Sequence, residues 1–300
     1  MTENTHPAEK HDPRPVVVGV DGSENSGHAA IWAAEEAERR GTTLTVVHAL
    51  HLPDPAVAPI EPTGYAQRRH AEGTVLLDKA GTALRARFPE LTPGVELSDL
   101  DPAHALVELS RTAALLVTGT RGHGGFAGML LGSVSRKLAA HGHCPLVVVQ
   151  AEQVPDAADG VVLGVGSDPG RAAARFAFEA ARRRGATLTV VHAWWPNAMA
   201  TGMAGGGAMY AGSPAADRGD ASTDAEAAVK SLRDEYPDVT VRIDVAEGNA
   251  VTVLLDAARH AQLLVVGEHR RRGPFWVGPG YVVEGVLARG AAPVAVVPED

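Results

Sequence analysis

The sequence predicts an α/β protein made of two tandem doubly wound domains, each a five-stranded parallel sheet with helices on both faces. Three observations support this fold class. The chain contains an internal repeat, each copy alternates short Val-rich runs with longer amphipathic stretches, and the Val-rich runs are apolar on both faces. Strands of a parallel sheet are buried on both sides, so they are continuously hydrophobic, whereas a half-exposed strand alternates.

The repeat is visible directly in the sequence. Residues 39–49 (RRGTTLTVVHA) and 183–193 (RRGATLTVVHA) agree at ten of eleven positions, at an offset of 144. The flanking segments correspond in the same order: VVVGV at 16–20 with VLGV at 162–165, ALLVTG at 114–119 with LLVVG at 263–267, and CPLVVV at 144–149 with APVAVV at 292–297. The chain is therefore a duplication.

The elements follow from the apolar runs and the amphipathic stretches between them. In the first copy we predict strands at 15–20, 43–50, 94–99, 114–119 and 145–150, and helices at 25–40, 66–87, 102–113 and 132–142. In the second copy the strands recur near 161–166, 187–194, 239–245, 263–267 and 293–297.

The predicted domains are 15–150 and 161–300, preceded by a disordered tail at 1–14 and joined by a polar linker at 151–160. Ten extended residues span about 30 Å, so the linker permits more than one packing of the domains. The apolar fifth strands favour one of these packings, because an apolar strand left uncovered at a sheet edge promotes aggregation. We expect these strands to pair, which makes the chain an intramolecular pseudo-dimer or a component of a homodimer.

Composition excludes several function classes. The net charge is −9, the sequence pI is about 5.8, and no basic stripe is present, which argues against nucleic acid as a partner. Residues 1–15 have no apolar core of a signal peptide, and the apolar runs fall short of the ~20 residues that span a membrane. The single cysteine, Cys144, is compatible with a reducing compartment. We expect a cytoplasmic protein without a membrane partner.

A glycine-rich segment follows the fourth strand of the first copy. It reads Gly119-Thr120-Arg121-Gly122, and nine residues later Gly132-Ser133 begins the next helix. Glycine lets the backbone approach a phosphate closely and tolerates positive φ, so we expect the N–H groups at Gly119 and Gly122 to form an anion-binding nest. The free N–H groups of a helix N-terminus attract phosphate as well.

Asp21 and Ala49 end the first and second strands, near this loop. If strand one is central, the crevice of a doubly wound sheet lies between strands one and four, beyond their carboxyl ends. The Asp21 carboxylate can bond ribose hydroxyls or hold its own turn, and the backbone of Ala49 can meet an adenine edge. Two other roles stay open: Ser133 as a simple N-cap, and Arg121 as a solvated loop residue rather than a phosphate partner.

These motifs resemble the universal stress protein family. The pattern G-x2-G-x9-G-[ST] is similar to that family's ATP-binding signature, and VGVDGS at 18–23, VVHA at 46–49 and GHCPLVVV at 142–149 also match it. The resemblance covers both copies and implies strand order 3-2-1-4-5. It also implies ATP as the ligand, with or without Mg²⁺, held by Asp21, Ala49, Gly119, Arg121, Gly122, Gly132, Ser133 and Val134.

The second copy departs from that pattern. Aligned on Gly267, the second loop glycine becomes Arg270, and Gly280 is followed by Tyr281. Its first loop, GVGSDPG, is one residue shorter and has no acid at the position of Asp21. We expect no such nucleotide site in this copy, although its consecutive arginines can meet another anion.

The resemblance implies a stress-responsive regulator or sensor that binds adenine nucleotide and is not an enzyme. A slow ATPase or an autophosphorylating enzyme is the alternative, although phosphotransfer usually needs a metal ligand set and a base that the loop lacks. A purely structural dimerisation module leaves the intact loop unexplained. The His141-x-His143-Cys144 segment has metal-ligand residues but no second cluster nearby, so we predict no metal site.

Overall fold

A computed structural model describes residues 12–52, 64–122, 131–150, 160–166, 170–194, 214–269 and 278–299, apart from the side chains of 214–217. The predicted tail lies outside these residues except for 12–14, and the predicted linker except for residue 160. The described residues form ten strands and eight helices.

The first copy contains β1 (Val16–Gly19), α1 (Glu24–Arg40), β2 (Leu44–Ala49), α2 (Tyr65–Arg87), β3 (Gly94–Ser98), α3 (Pro102–Leu109), β4 (Leu115–Gly119), α4 (Ser133–His141) and β5 (Leu146–Val149). The second contains β6 (Val161–Val165), α5 (Arg171–Arg184), β7 (Leu188–Trp194), α6 (Pro214–Glu235), β8 (Val241–Glu247), α7 (Ala250–Ala257), β9 (Leu263–His269), α8 (Tyr281–Arg289) and β10 (Val294–Glu299).

The two copies share one sheet of order β3-β2-β1-β4-β5-β10-β9-β6-β7-β8. Each half is parallel and has the order 3-2-1-4-5, which confirms the predicted fold class. The halves join where β5 pairs antiparallel with β10, with Val294 opposite Val148 and Val296 opposite Leu146. The predicted pairing of the fifth strands is therefore confirmed.

Helices cover both faces of this sheet, as the apolar runs predict. Successive strand residues point to opposite faces, so Val16 and Val18 pack in one core and Val17 in the other. The first core takes its helical residues from α1, α2, α5 and α6, and the second from α3, α4, α7 and α8.

The helix predicted over 102–113 is shorter in the structure, ending at Leu109. A turn follows, in which the Thr112 and Ala113 amides donate to the Leu109 carbonyl. The chain has to reverse here because Ala114 already lies beside β1, where its N–H donates to the Pro15 carbonyl at 2.9 Å. Helix α3 therefore ends about one turn before the predicted boundary, because the chain must turn into β4.

Helices α1 and α5 meet across the junction of the two copies. Arg40 lies over the Phe176 ring at 5.4 Å, and Arg184 lies over the Trp32 ring at 5.8 Å. These two contacts are equivalent under the repeat offset, so they display the pseudo-twofold relation of the copies. At their centre Glu36, 1% exposed, accepts from Arg40 Nε and from Arg184 Nη2, each at 2.7 Å.

Candidate functional site

A cavity of about 470 Å³ opens at the carboxyl ends of β1 and β4 in the first copy. This is the crevice where a doubly wound sheet binds its ligand. All eight predicted site residues line it: Asp21, Ala49, Gly119, Arg121, Gly122, Gly132, Ser133 and Val134. The structure thus brings together residues that lie up to 113 positions apart in the chain (134 − 21).

The glycines of the loop are needed for space and not for backbone conformation. Neither Gly119 nor Gly122 has positive φ, so the predicted positive-φ nest is wrong. A β-carbon at Gly119 would lie 2.8 Å from the Asn25 carbonyl oxygen in α1, and one at Gly122 would lie on top of an Asp21 carboxylate oxygen. Close contact of β4 and its loop with the start of α1 therefore excludes side chains at both positions.

Helix α4 presents its N-terminus to this cavity. Gly132 is the N-cap and has no side chain of its own to cap the helix, so the alternative in which Ser133 acts as the N-cap is wrong. The Gly132 amide donates to the Thr120 carbonyl at 2.7 Å, and the Ser135 hydroxyl donates to the Gly119 carbonyl at 2.9 Å. These bonds fix the helix start against the loop, and the first residues of the helix line the cavity.

Asp21 holds the turn after β1. Its Oδ1 accepts from the Ser23 amide at 3.0 Å and from the Ser23 hydroxyl at 2.6 Å. Ser23 in turn is the N-cap of α1 and accepts from the Ser26 amide at 3.3 Å. Of the two predicted roles, the structure shows the turn, while the ribose role stays a prediction. The Asp21 Oδ2 faces Gly122 across the loop.

Several residues of this cavity were not singled out from the sequence. Val47, Pro102 and Leu106 form an apolar wall, and Thr118, Thr120 and Ser135 add hydroxyls near the loop. Pro102 and Leu106 belong to α3, which follows the third strand, so only the strand order reveals that they approach the loop. His48 also lines the cavity, and its Nδ1 lies 2.7 Å from the Val20 carbonyl oxygen.

The second copy has a different surface at the equivalent edge. Strand register places Gly166 where the first copy has Asp21. Tyr281 is the first residue of α8 and is 69% exposed. Arg270, on which part of the prediction rests, lies outside the described residues.

The described residues offer neither a metal site nor a membrane span. No group of three or more His, Cys, Asp or Glu side chains in that part of the chain is placed to hold a metal ion. None of the described helices has the length and apolar character needed to span a membrane. Cys144 is buried, and burial raises the pKa of its thiol to about 12.

Comparison with known proteins settles the family. The model of the universal stress protein family matches the chain twice, over residues 13–150 and 159–298. The chain belongs to the universal stress protein family. Universal stress protein Rv2623 of Mycobacterium tuberculosis is 32% identical over 305 residues, covering 95% of this chain and 96% of the relative. Universal stress protein Rv1996 of the same organism is 34% identical over 319 residues, with the same coverage.

The fold agrees with a solved member of the family. The crystal structure of a universal stress protein from Archaeoglobus fulgidus covers 96% of this chain and 97% of its own, with a TM-score of 0.70. Its sequence identity is 17%, so this likeness concerns the fold. The predicted tandem universal stress protein architecture is confirmed.

Proposed function

We propose that this universal stress protein is a cytoplasmic, stress-responsive regulator or sensor that binds ATP in its first domain. The observation that carries the proposal is the cavity at the β1–β4 crevice. All eight residues predicted from the family signature line it, and so does the N-terminus of α4, whose N-cap is a glycine. A volume of about 470 Å³ lies within the range of small-molecule sites.

The lining suits a ligand that is apolar at one end and anionic at the other. The wall formed by Val47, Pro102 and Leu106 offers a surface for a base, with the Ala49 backbone at its edge. At the other end, the first amides of α4 and the Ser133 hydroxyl offer donors to phosphate oxygens. Arg121 is exposed at the rim and adds a positive charge on the phosphate side.

In the proposed complex Asp21 binds the ribose, which lies between the base and the phosphates of the ligand. The Oδ1 of Asp21 accepts from Ser23 in the turn, its Oδ2 lies beside Gly122, and the residue lines the cavity. A carboxylate that is already oriented by two hydrogen bonds accepts from ribose hydroxyls with little further loss of side-chain freedom. The turn and the ligand role are therefore compatible in one side chain.

We propose a stoichiometry of one nucleotide per chain. The second copy has Gly166 in place of the Asp21 carboxylate and Tyr281 in place of Ser133. A ligand there would lose its ribose acceptor and a phosphate donor. Each lost hydrogen bond to a charged group costs roughly 1.5–3 kcal/mol, which is about ten- to hundredfold in affinity.

Isothermal titration of the full chain with ATP, together with native mass spectrometry, tests the proposal. We expect one bound nucleotide in the unaltered protein and none in Gly122→Val, because the new side chain displaces Asp21 and fills the phosphate approach. Gly166→Val is the matched control, since a β-carbon there has no atom within 4 Å. ATP affinity retained in Gly122→Val contradicts the site, and a stoichiometry of two contradicts the assignment of the second domain.

The same samples separate a binder from an enzyme. We expect the bound ATP to persist over the time of the titration, with little release of phosphate. Sustained turnover, or a phosphate mass added to the chain, supports the slow ATPase or autophosphorylating alternative instead.

A further inference from the structure

Two buried carboxylates occupy helix N-termini at the carboxyl edge of the second domain. The Gly280 amide, at the start of α8, donates to both oxygens of Glu268, each at 3.1 Å. The Ala172 and Ala173 amides, in the first turn of α5, donate to Glu299 at 3.1 and 2.7 Å. Glu268 and Glu299 are 7% and 6% exposed. Both side chains are therefore acids held in the interior by backbone donors.

The equivalent residues of the first domain make a different hydrogen bond at the start of α4. Glu268 follows Gly267 as Thr120 follows Gly119, and Gly280 corresponds to Gly132. In the first domain the Gly132 amide donates to the main-chain oxygen of Thr120 at 2.7 Å, whereas in the second domain the equivalent Gly280 amide donates to a side chain. In the second domain a carboxylate has entered at the same place, beside the N-terminus that corresponds to the proposed phosphate site.

Glu299 extends the same arrangement to the other helix. In the first domain α1 is capped by the Ser23 hydroxyl. In the second domain the N-cap of α5 is Gly170, which has no side chain, and the Glu299 carboxylate reaches over from the end of β10. Its Cγ and Oε1 lie 3.2 Å from the β-carbon position of Gly267, in the second half of β9. The two acids thus stand at neighbouring strand ends.

We propose that Glu268 excludes anionic ligands from the second domain by occupying the N-terminus of α8 with a carboxylate of the chain itself. The inference deepens the proposed function and rests on it, because it treats the first-domain cavity as the anion site. The positive end of a helix dipole attracts one anion, and a second anion in contact with the first is repelled. Glu299 adds another negative charge on the same edge. The second domain thus places carboxylates of its own chain beside the helix N-terminus that corresponds to the proposed phosphate site.

The first test uses tripolyphosphate as the probe, in full chains whose first cavity is blocked by Gly122→Val. We expect tripolyphosphate to bind about tenfold more tightly after Glu268→Gln or Glu268→Thr, as removal of a charge at a helix terminus predicts. Glu268→Gln keeps the shape and an oxygen acceptor, so it should fold even if Glu268→Thr does not. Glu226→Gln, an exposed acid of α6, removes the same charge elsewhere and should leave the affinity unchanged.

The second test transfers the acid to the first domain of the otherwise unaltered chain. We expect Thr120→Glu to weaken ATP binding about tenfold more than Thr120→Gln, which has the same size and no charge. Equal loss in both variants, or a folded Glu268→Gln chain with unchanged tripolyphosphate affinity, overturns the inference. If the unaltered chain binds no ATP, the proposed function fails, and the tripolyphosphate titration still decides this inference.

Discussion

Replacement of Glu36 by Ala should strongly destabilise the whole chain, although the residue lies outside the nucleotide cavity. Its carboxylate is 1% exposed and bridges Arg40 of its own helix and Arg184 of α5. Arg184 is itself only 4% exposed as a side chain. Alanine is the residue that the second copy has at the equivalent position, Ala180, so the helix tolerates it locally.

The expected cost follows from the charges left behind. Without Glu36, the guanidinium of Arg184 stays buried near those of Arg40 and Arg183 and loses its acidic partner. Breaking a buried ion pair by removing one partner costs about 3–5 kcal/mol. For a protein of this size, about 2–4 °C of Tm corresponds to each kcal/mol, so a drop of roughly 6–20 °C is expected.

Thermal and urea unfolding of the full chain measure this effect. Glu35→Ala is the matched control, because Glu35 lies in the same helix with its side chain 34% exposed and pairs with Arg39 at 3.4 Å. A surface pair of this kind contributes about 0–1 kcal/mol. Equal, small losses in the two variants would refute the reasoning. Adding Arg184→Met to Glu36→Ala should recover part of the stability, since the uncompensated charge is removed.

The pH dependence gives a second measurement of the same cluster. Burial alone would raise the pKa of Glu36, but Arg184, Arg40 and Arg183 hold that pKa below its usual value. The folded state therefore binds the proton less readily than the unfolded state. The resulting stability is present above the unfolded pKa and is lost as pH falls through the folded pKa. Glu36→Gln should flatten the unfolding free energy against pH in this acid range.

Three further predictions concern the junction and the site. Val148→Lys and Val296→Lys each place a charge in the buried β5–β10 pairing and should each lower the unfolding free energy by several kcal/mol. The double variant should lose less than the sum of the two, because both changes disrupt the same junction. An unchanged unfolding free energy in the single variants would contradict this. Ser23→Ala removes the cap of α1 and should lower the unfolding free energy by about 1 kcal/mol in urea titration. Asp21→Asn should weaken ATP binding about ten- to hundredfold by isothermal titration, whereas unchanged affinity would leave Asp21 only its turn role.

The repeat made most of the architecture predictable from the sequence. A segment that matches at ten of eleven positions aligns the two copies, and continuous Val runs identify buried parallel strands. Pairing of β5 with β10 followed from the need to cover two apolar edges. The carboxyl ends of neighbouring parallel strands lie at one edge, so Asp21 and Gly119 had to meet once the strand order was known.

The unpredicted features depend on contacts between residues remote in sequence. The Glu36–Arg184 pair joins positions 148 apart, and no local pattern marks Glu36 as the buried member of an acidic run at 35–38. The positive φ predicted for Gly119 and Gly122 was wrong because glycine is used both for positive φ and for close packing. The presence of a glycine in the sequence does not distinguish these two uses. The capping role of Glu299 requires the end of β10 to lie beside the start of α5.

Fusion of the two domains in one chain changes how strongly the β5–β10 junction must hold them together. Separate domains joined by the same strands would dissociate on dilution, and each exposed edge would then be free to recruit other chains. In one chain the association is intramolecular, so it does not depend on protein concentration. A domain that is held in the shared sheet by the covalent connection can lose its ligand-binding residues and still remain paired with the other domain. The asymmetry of Glu36 and Ala180 has the same origin, since a homodimer would be obliged to carry identical residues on both sides.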